Sequence, residues 1–319
     1  MSDNLLLQLA QAATEEQKAC LLALAVLKNQ PEAARRAALA AAVPHWFDAA
    51  VLAALLETPT PAPPLTQGRG ESSSELPPLS EGRGRGGVAE IYATLQTLPF
   101  AQRYGESGHA LHDLTRAGLI GYVLREQPDD FRAYSRRAAR FFAAKDAIEC
   151  VYHLLASDTD AGIGRFEKLI IELCEQRRDL NGAHRLVAYL RELLALRALT
   201  GAKAERALSF GYSYLGDLQM NYASVSAAAE SHQQAHEIWQ RLAQADPANA
   251  AAQRDLCASF YRLGAVQEAL EQPEAARQWY QQALSIAARL AAQDPANAQA
   301  QSDLKKLQET IENLQGGQS

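Results

Sequence analysis

The chain has 319 residues, enough for two or three domains, and a formal net charge of −6. Its 48% hydrophobic and 21% charged residues are typical of a globular protein that buries a core. The acidic balance argues against a general binder of nucleic acids or anionic membranes.

The N-terminus and the cysteines predict a cytoplasmic protein. The apolar run 21–27 follows two glutamates and is too short to cross a bilayer, so we expect neither a secretory leader nor a membrane anchor. No two cysteines form a CxxC pair, which favours reduced, buried thiols over disulfides. The four are Cys20, Cys150, Cys174 and Cys257.

Residues 1–58 are rich in alanine and leucine and predict helices. Thr14 is a suitable N-cap for a helix over 15–28, whose first turn is acidic. We expect Pro31 to open a second helix that ends near residue 42, and Pro44 to open a third that ends near residue 57.

The next stretch, 59–87, differs in composition. PPLTQGRG at 63–70 is repeated as PPLSEGRG at 77–84, and large apolar residues are almost absent. Such a segment cannot offset its ordering entropy by burial, so it predicts a disordered insertion. The GRGRGG run at 82–87 lacks the Lys-Ser/Thr of a phosphate-binding loop and follows no predicted strand, so it is a weak nucleotide motif.

Residues after the insertion predict a small α/β element. A helix over 88–98 is followed by two short strands, 100–104 and 109–111, and by a helix over 115–126. Helices, then a hairpin, then a helix is a winged-helix order, and the insertion would occupy one of its loops. The candidate recognition helix 88–98 has no Arg or Lys, which makes DNA binding the least favoured function.

From residue 128 to 200 the pattern is entirely helical. Short polar or glycine breaks separate most of four predicted helices, as in helical hairpins. The helices are 129–144, 146–157, 161–178 and 180–199. A basic stripe on the first of them is interpreted as a solvated face rather than a binding site. The stripe comprises Arg132, Arg136, Arg137 and Arg140.

The most informative feature is a repeat of period 48. Residues 233–256 and 281–304 are identical at 16 of 24 positions. A fixed period of this size indicates stacked helix pairs, and such arrays form extended binding surfaces. Leu215-Gly216 in the first helix of one pair matches Leu263-Gly264 in the next, where close helix approach is expected.

The sequence also predicts where the repeat helices end. The second helix of each pair should stop at Asp246-Pro247 or Asp294-Pro295, because a residue before proline disfavours the α region. Asn249 and Asn297 are expected to cap the helices that follow. In the last unit Ile311-Glu312 replaces Leu-Gly, which predicts a capping helix that closes the array and exposes Lys305, Lys306 and Glu309.

No catalytic constellation stands out, so we expect neither an enzyme nor a cofactor. His232 and His236 are spaced like half of a metal site. They occupy the positions of Tyr280 and Leu284 in the following repeat, so packed side chains are favoured over metal ligands.

The motif Leu111-His112-Asp113-Leu114-x-Arg116 resembles the "MHD" element that closes the winged-helix domain of STAND-class, NB-ARC-like signalling NTPases. Residues 137–158 resemble the helical region after that domain, and the 48-residue units resemble the tetratricopeptide (TPR) arrays at the C-termini of such proteins. The resemblance implies that His112 senses bound nucleotide and that Asp113 is its structural partner. Because the sequence contains no Walker A or Walker B motif, the chain is either the sensor half of a split or truncated switch, or His112 is a remnant.

We therefore predict an all-α protein with one small β-hairpin. A winged-helix-like domain, 1–127, leads into a helical arm, 128–200, and TPR-like repeats, 201–319. The predicted function is non-enzymatic binding of a protein or peptide, with a regulatory subunit of a separate P-loop NTPase as the alternative. The residues expected to face the groove of the repeats are Phe210, Ser213, Asp217, Asn221, Tyr261, Ala265 and Glu268.

Overall fold

The computed structural model describes residues 3–56, 86–106 and 108–316. In this part of the chain the fold is all-α, with fifteen helices in sequential pairs and one two-stranded hairpin, as predicted. The chain divides into two compact units, and the boundary lies between Ser157 and Asp158. The helices of the predicted arm are shared between the two units. None of the described helices is both long and apolar enough to cross a membrane.

Unit 1, Met1–Ser157, contains eight of the described helices and the hairpin. In chain order its elements are α1 Asp3–Gln11, α2 Glu15–Leu27, α3 Glu32–Ala41, α4 Ala49–Leu56, α5 Gly86–Gln96, β1 Ala101–Tyr104, β2 Gly108–Leu111, α6 Asp113–Glu126, α7 Pro128–Phe142 and α8 Ala147–Ser157. The predicted insertion 59–87 lies outside the described residues except for its last two, which begin α5.

The start of α2 is confirmed, but the predicted start of the third helix at Pro44 is wrong, and that helix begins at Ala49. The Thr14 hydroxyl accepts a hydrogen bond from Gln17 N–H at 3.2 Å, as an N-cap does. After α3 the chain turns and bends through residues 42–46, and Phe47 then exchanges backbone hydrogen bonds of 2.7 and 2.8 Å with His109. α4 begins only after Asp48, whose carboxylate caps it. Pairing with a distant strand therefore overrides the local helical preference.

The hairpin is confirmed with antiparallel register. Ala101 pairs with Leu111 at its open end, and Tyr104 pairs with Gly108 beside the turn. The bridge from Phe47 to β2 adds a single residue on the other side, so the lateral order is Phe47, β2, β1.

Unit 2, Asp158–Ser319, contains the remaining described helices and a π-helical turn. Its elements are α9 Thr159–Ile171, the π-turn Glu172–Arg177, α10 Leu180–Ala195, α11 Ala202–Tyr222, α12 Val225–Ala245, α13 Ala250–Ala269, α14 Pro273–Gln293 and α15 Ala298–Gly316. The π-turn forms the C-terminal part of the helix predicted over 161–178. Arg178 follows it and adopts φ 54°.

The close helix approach predicted at the two Leu-Gly sites is confirmed. A Cβ on Gly216 would lie 2.5 Å from the His232 ring, and one on Gly264 would lie 2.5 Å from the Tyr280 ring. No side chain fits in that space. The absence of a Cβ at these two positions therefore lets α11 pack on α12 and α13 pack on α14.

Hydrogen bonds and ion pairs repeat at the same period as the sequence. Gln253 Nε2 donates to the Ala243 carbonyl at 3.1 Å, and the equivalent bond 48 residues later has the same length. Arg206 pairs with Asp255 at 3.1 Å, and Arg254 pairs with Asp303 at 2.9 Å. The latter pairs join α11 to α13 and α13 to α15, so these three helices form one row.

The predicted boundaries of the repeat helices are confirmed. Asp246 and Asp294 end α12 and α14, each immediately before proline. Asn249 caps α13 by accepting from Ala252 N–H at 3.1 Å, and Asn297 caps α15 in the same way. The order of caps follows directly from the DPxN motif that the two units share.

Candidate partner-binding groove

Helices α11, α13 and α15 line an open cavity of about 400 Å³, which we call the groove. Three of the seven predicted site residues line it: Asp217, Tyr261 and Ala265. Helix α15 contributes Lys306, and α12 contributes His232. The groove therefore combines an aromatic ring, small side chains and charges of both signs.

The central charge pair of the groove joins α11 to α13. Arg262 Nε donates to both carboxylate oxygens of Asp217, at 3.1 and 3.2 Å. The Arg262 side chain is 30% exposed and that of Asp217 is 45% exposed, so solvent screens the pair. The pair orients two charges toward the groove and contributes little to folding stability.

His232 lies against this pair but is itself buried. Its Nε2 is 3.5 Å from Asp217 Oδ1, and its Nδ1 has no hydrogen-bond partner. Burial lowers the pKa of His232 to about 4, although the Asp217 charge acts in the opposite direction. The ring is therefore neutral at pH 7 and packs on Gly216.

His236 is also packed rather than free to bind a metal. Its Nδ1 is 2.9 Å from Ser259 Oγ, and its ring lies 4.6 Å from that of Phe260. Across the residues that the structure describes, no group of three or more His, Cys, Asp or Glu side chains is arranged to hold a metal ion.

Tyr261 presents its ring to the groove and is flanked by a cation. Lys306 Nζ lies 4.7 Å from the Tyr261 ring centroid, within cation–π range. The Tyr280 ring also packs against the Tyr261 ring, with the two ring centroids 5.3 Å apart. The Tyr280 hydroxyl donates a hydrogen bond to Glu268 at 2.9 Å. Glu268 is thereby engaged with the helix pair and does not line the groove.

A smaller depression of about 300 Å³ adjoins the groove, and Asp217 borders both. Asn221 and the exposed Tyr222 line it from α11. The Arg178 guanidinium, at the end of the π-turn, lies 5.1 Å from the Tyr222 ring. Asn221 Nδ2 donates to the Asp217 carbonyl at 2.8 Å. Asn221 therefore lies next to the groove rather than in it.

Phe210 and Ser213 do not line the groove. Ser213 is buried, and its hydroxyl donates to the Ser209 carbonyl within the same helix at 2.9 Å. Phe210 packs on Tyr214 at 4.7 Å and lines a separate depression with Trp239. The 48-residue alignment makes Ser213 equivalent to Tyr261. The serine side chain is too short to reach the surface that the longer tyrosine side chain covers.

In unit 1, His112 and Asp113 lie at the start of α6, and both are exposed. The His112 backbone N–H donates to the Phe100 carbonyl at 2.9 Å, and its side chain forms no capping bond. Asp113 occupies the first helical turn, where a carboxylate interacts favourably with the helix dipole.

Arg116 of the same motif is buried, and the sequence assigned it no role. Its Nε donates to the Pro44 carbonyl at 3.1 Å. Its Nη2 donates to the Val43 carbonyl and to the Tyr152 hydroxyl, both at 3.2 Å. Arg116 thus satisfies the backbone of the loop that precedes the Phe47 bridge.

Glu149, on α8, holds the same loop from the other side and is 1% exposed. It accepts the His45 backbone N–H at 2.9 Å, and His45 Nδ1 is 3.0 Å from its carboxylate. His153 Nε2 lies 3.4 Å away. Burial acts to raise the pKa of Glu149, but His45 and His153 outweigh it, so the pKa lies well below its usual value. The helical spacing of Glu149 and His153 was the one available sequence signal.

Comparisons with profiles of known protein families, with curated proteins and with solved structures gave no match.

Proposed function

We propose that the repeats of unit 2 are a TPR-like array that binds a segment of a partner protein in the groove, without catalysis. The observation that carries this proposal is the half-exposed Tyr261 ring, which lies in an open cavity beside the Asp217–Arg262 pair. Aromatic anchors flanked by charge are typical of protein-recognition surfaces.

The repeat chemistry supports the TPR resemblance. The Leu-Gly sites, the aromatic ring of Tyr280 opposite Gly264 and the sequential helix pairs correspond to the contacts that TPR units use. Helical repeats of this kind commonly receive a ligand on the surface formed by the first helix of each pair. The groove is small, so we expect dissociation constants around micromolar or weaker.

Affinity capture with variants of the groove tests this proposal. Immobilised protein is incubated with extract from the source organism, and retained proteins are quantified by mass spectrometry. We expect Tyr261→Ala combined with Asp217→Ala to lose the partner that the wild type retains. Leu270→Ala is the control, because Leu270 is exposed on unit 2 but lies outside the groove. Equal retention by the double variant and the wild type would exclude the groove.

A second candidate function concerns unit 1, which would regulate a separate P-loop NTPase. In chain order, Phe47 lies between α3 and α4, and α5 precedes the hairpin. This order, with the lateral order Phe47, β2, β1, resembles that of a winged-helix domain, which supports the STAND resemblance. His112 is exposed at the start of α6, where a nucleotide on another protein is able to reach it. This candidate predicts co-purification with such an NTPase and faster ADP release from the complex with His112→Ala. An unchanged release rate would remove the sensor role.

DNA binding by unit 1 is the weakest candidate. Helix α5 takes the place of a recognition helix, and it carries no Arg or Lys and one glutamate. A gel shift at physiological salt tests it directly, and no shift is expected.

A further inference from the structure

Lys306 departs from the repeat at a position that faces the groove. The residues equivalent to it are Phe210 and Ala258, which lie 96 and 48 residues earlier and are apolar. Both Ala258 and Lys306 line the groove. Helix α15 therefore places a cation where the first helices before it present apolar side chains.

Lys306 is also the groove cation that lacks an anionic partner. Arg262 pairs with Asp217, and Arg254 pairs with Asp303. Among the described residues, no carboxylate lies within ion-pair distance of Lys306, whose ammonium lies over the face of the Tyr261 ring.

The neighbouring lysine behaves differently. Lys305 lies 3.6 Å from Glu309, one turn along α15, and does not line the groove. Of these two adjacent lysines, Lys305 belongs to a solvated surface ion pair, whereas Lys306 is a groove cation without a carboxylate partner.

The side chains around Lys306 define what a ligand must offer. Three cations and two carboxylates line the groove, which gives it a net positive charge within a protein of net charge −6. An anionic group is drawn to such a site, and charge complementarity selects partners more strongly than it adds affinity. Next to Lys306, the ring of Tyr261 and the small side chain of Ala258 leave room for an apolar side chain.

Resting on the proposed function, we infer that the partner segment carries an acidic side chain next to an apolar one, with the carboxylate paired to Lys306 and the apolar group on Tyr261. The cation–π contact keeps the ammonium at the groove, so pairing requires little reorganisation of the lysine.

The test selects random linear peptides displayed on phage against three proteins. These are the wild type, Lys306→Glu and the matched control Lys305→Glu. We expect peptides selected on the wild type and on the control to be enriched in Asp or Glu beside an apolar residue. A selected acidic peptide should bind Lys306→Glu about three- to tenfold more weakly than the wild type, as for one partly exposed ion pair.

Charge exchange makes the result specific. Replacing the acidic residue of the selected peptide by lysine should restore binding to Lys306→Glu and weaken binding to the wild type. Peptides that require Tyr261 but show no acidic preference, or that bind Lys306→Glu as well as the wild type, would overturn this inference and leave the proposed function standing. If the selection yields no peptide whose binding is weakened by Tyr261→Ala, both proposals fail.

Discussion

Arg116 and Glu149 are two buried charges of opposite sign that hold one loop of unit 1. Each is bound to backbone groups that neither a helix nor a sheet would otherwise satisfy. Arg116→Lys should destabilise unit 1 by roughly 3 kcal/mol, because a compact ammonium cannot reproduce the planar fork of donors through which Nε and Nη2 reach separate acceptors. Hydrogen exchange of the α6 and α8 amides measures this change. Protection equal to the wild type would mean that the loop is held by other contacts.

The acid stability of unit 1 is expected to depend on Glu149 and His153. The pKa of Glu149 is lowered in the folded state, so the unfolded chain binds more protons and stability falls with pH below about 5. Burial also lowers the pKa of His153, which adds a loss below about pH 6.5 with the same sign.

Glu149→Gln tests the first of these contributions. A neutral amide keeps the shape but cannot gain a proton, so the decline in α8 protection below about pH 5 should become shallower. The loss that begins below about pH 6.5 should persist or deepen, because the Glu149 charge raises the pKa of His153 in the wild type. A decline as steep as that of the wild type would assign the acid sensitivity to other groups.

At the level of single residues, the sequence identified part of the groove. Asp217, Tyr261 and Ala265 were predicted from the repeat alignment and line one cavity. Lys306 was predicted only to be exposed on a capping helix, because a repeat alignment does not weigh a residue that departs from it. The role of Arg116 was not predicted, although the motif contains it, because two of its partners are backbone carbonyls 72 and 73 residues away.

Among the elements, the repeat helices were the most predictable, because the features that define them are local. Proline after the last turn and asparagine at the cap act within a few residues, and each glycine contacts a ring only 16 positions later, on the next helix. The loop before α4 was not predictable in this way. Its conformation depends on Phe47 pairing with His109, and nothing in residues 44–48 announces that partner.

The glycine contacts allow a matched test at this scale. Gly264→Ala should destabilise unit 2 by about 1 to 3 kcal/mol, because the added methyl group would overlap the Tyr280 ring. Gly164→Ala, in α9, is the control, since its Cβ would meet nothing within 4 Å. That change should be neutral or stabilising by about 0.5 to 1 kcal/mol. Urea denaturation measures both, and equal effects would contradict the packing account.

At the scale of the whole molecule, each of the two compact units has its own internal contacts. Unit 2 encloses its own core, and the groove is formed from its residues alone. The fragment Asp158–Ser319 is therefore expected to be helical and to unfold cooperatively. Circular dichroism during a thermal scan checks this, and a fragment without a cooperative transition would show that unit 2 needs the rest of the chain.

Composition and charge argued against general binding of nucleic acids or anionic membranes, but they could not identify a partner. Recognition depends on which side chains meet in space, and the groove draws residues from α11, α12, α13 and α15. Period and register placed α11 and α13 correctly. The contribution of α12 was not predicted from the sequence. His232 of α12 packs against Gly216 of α11, and its ring thereby lines the groove.

Photo-crosslinking tests the central claim most directly. A groove-selected peptide that carries a photoreactive residue beside its apolar anchor is crosslinked to the full chain, and the sites are mapped by mass spectrometry. Binding in the groove predicts crosslinks on α13 and α15 around Tyr261 and Lys306, which are lost with Tyr261→Ala. Crosslinks confined to α14 or to unit 1 would contradict the account.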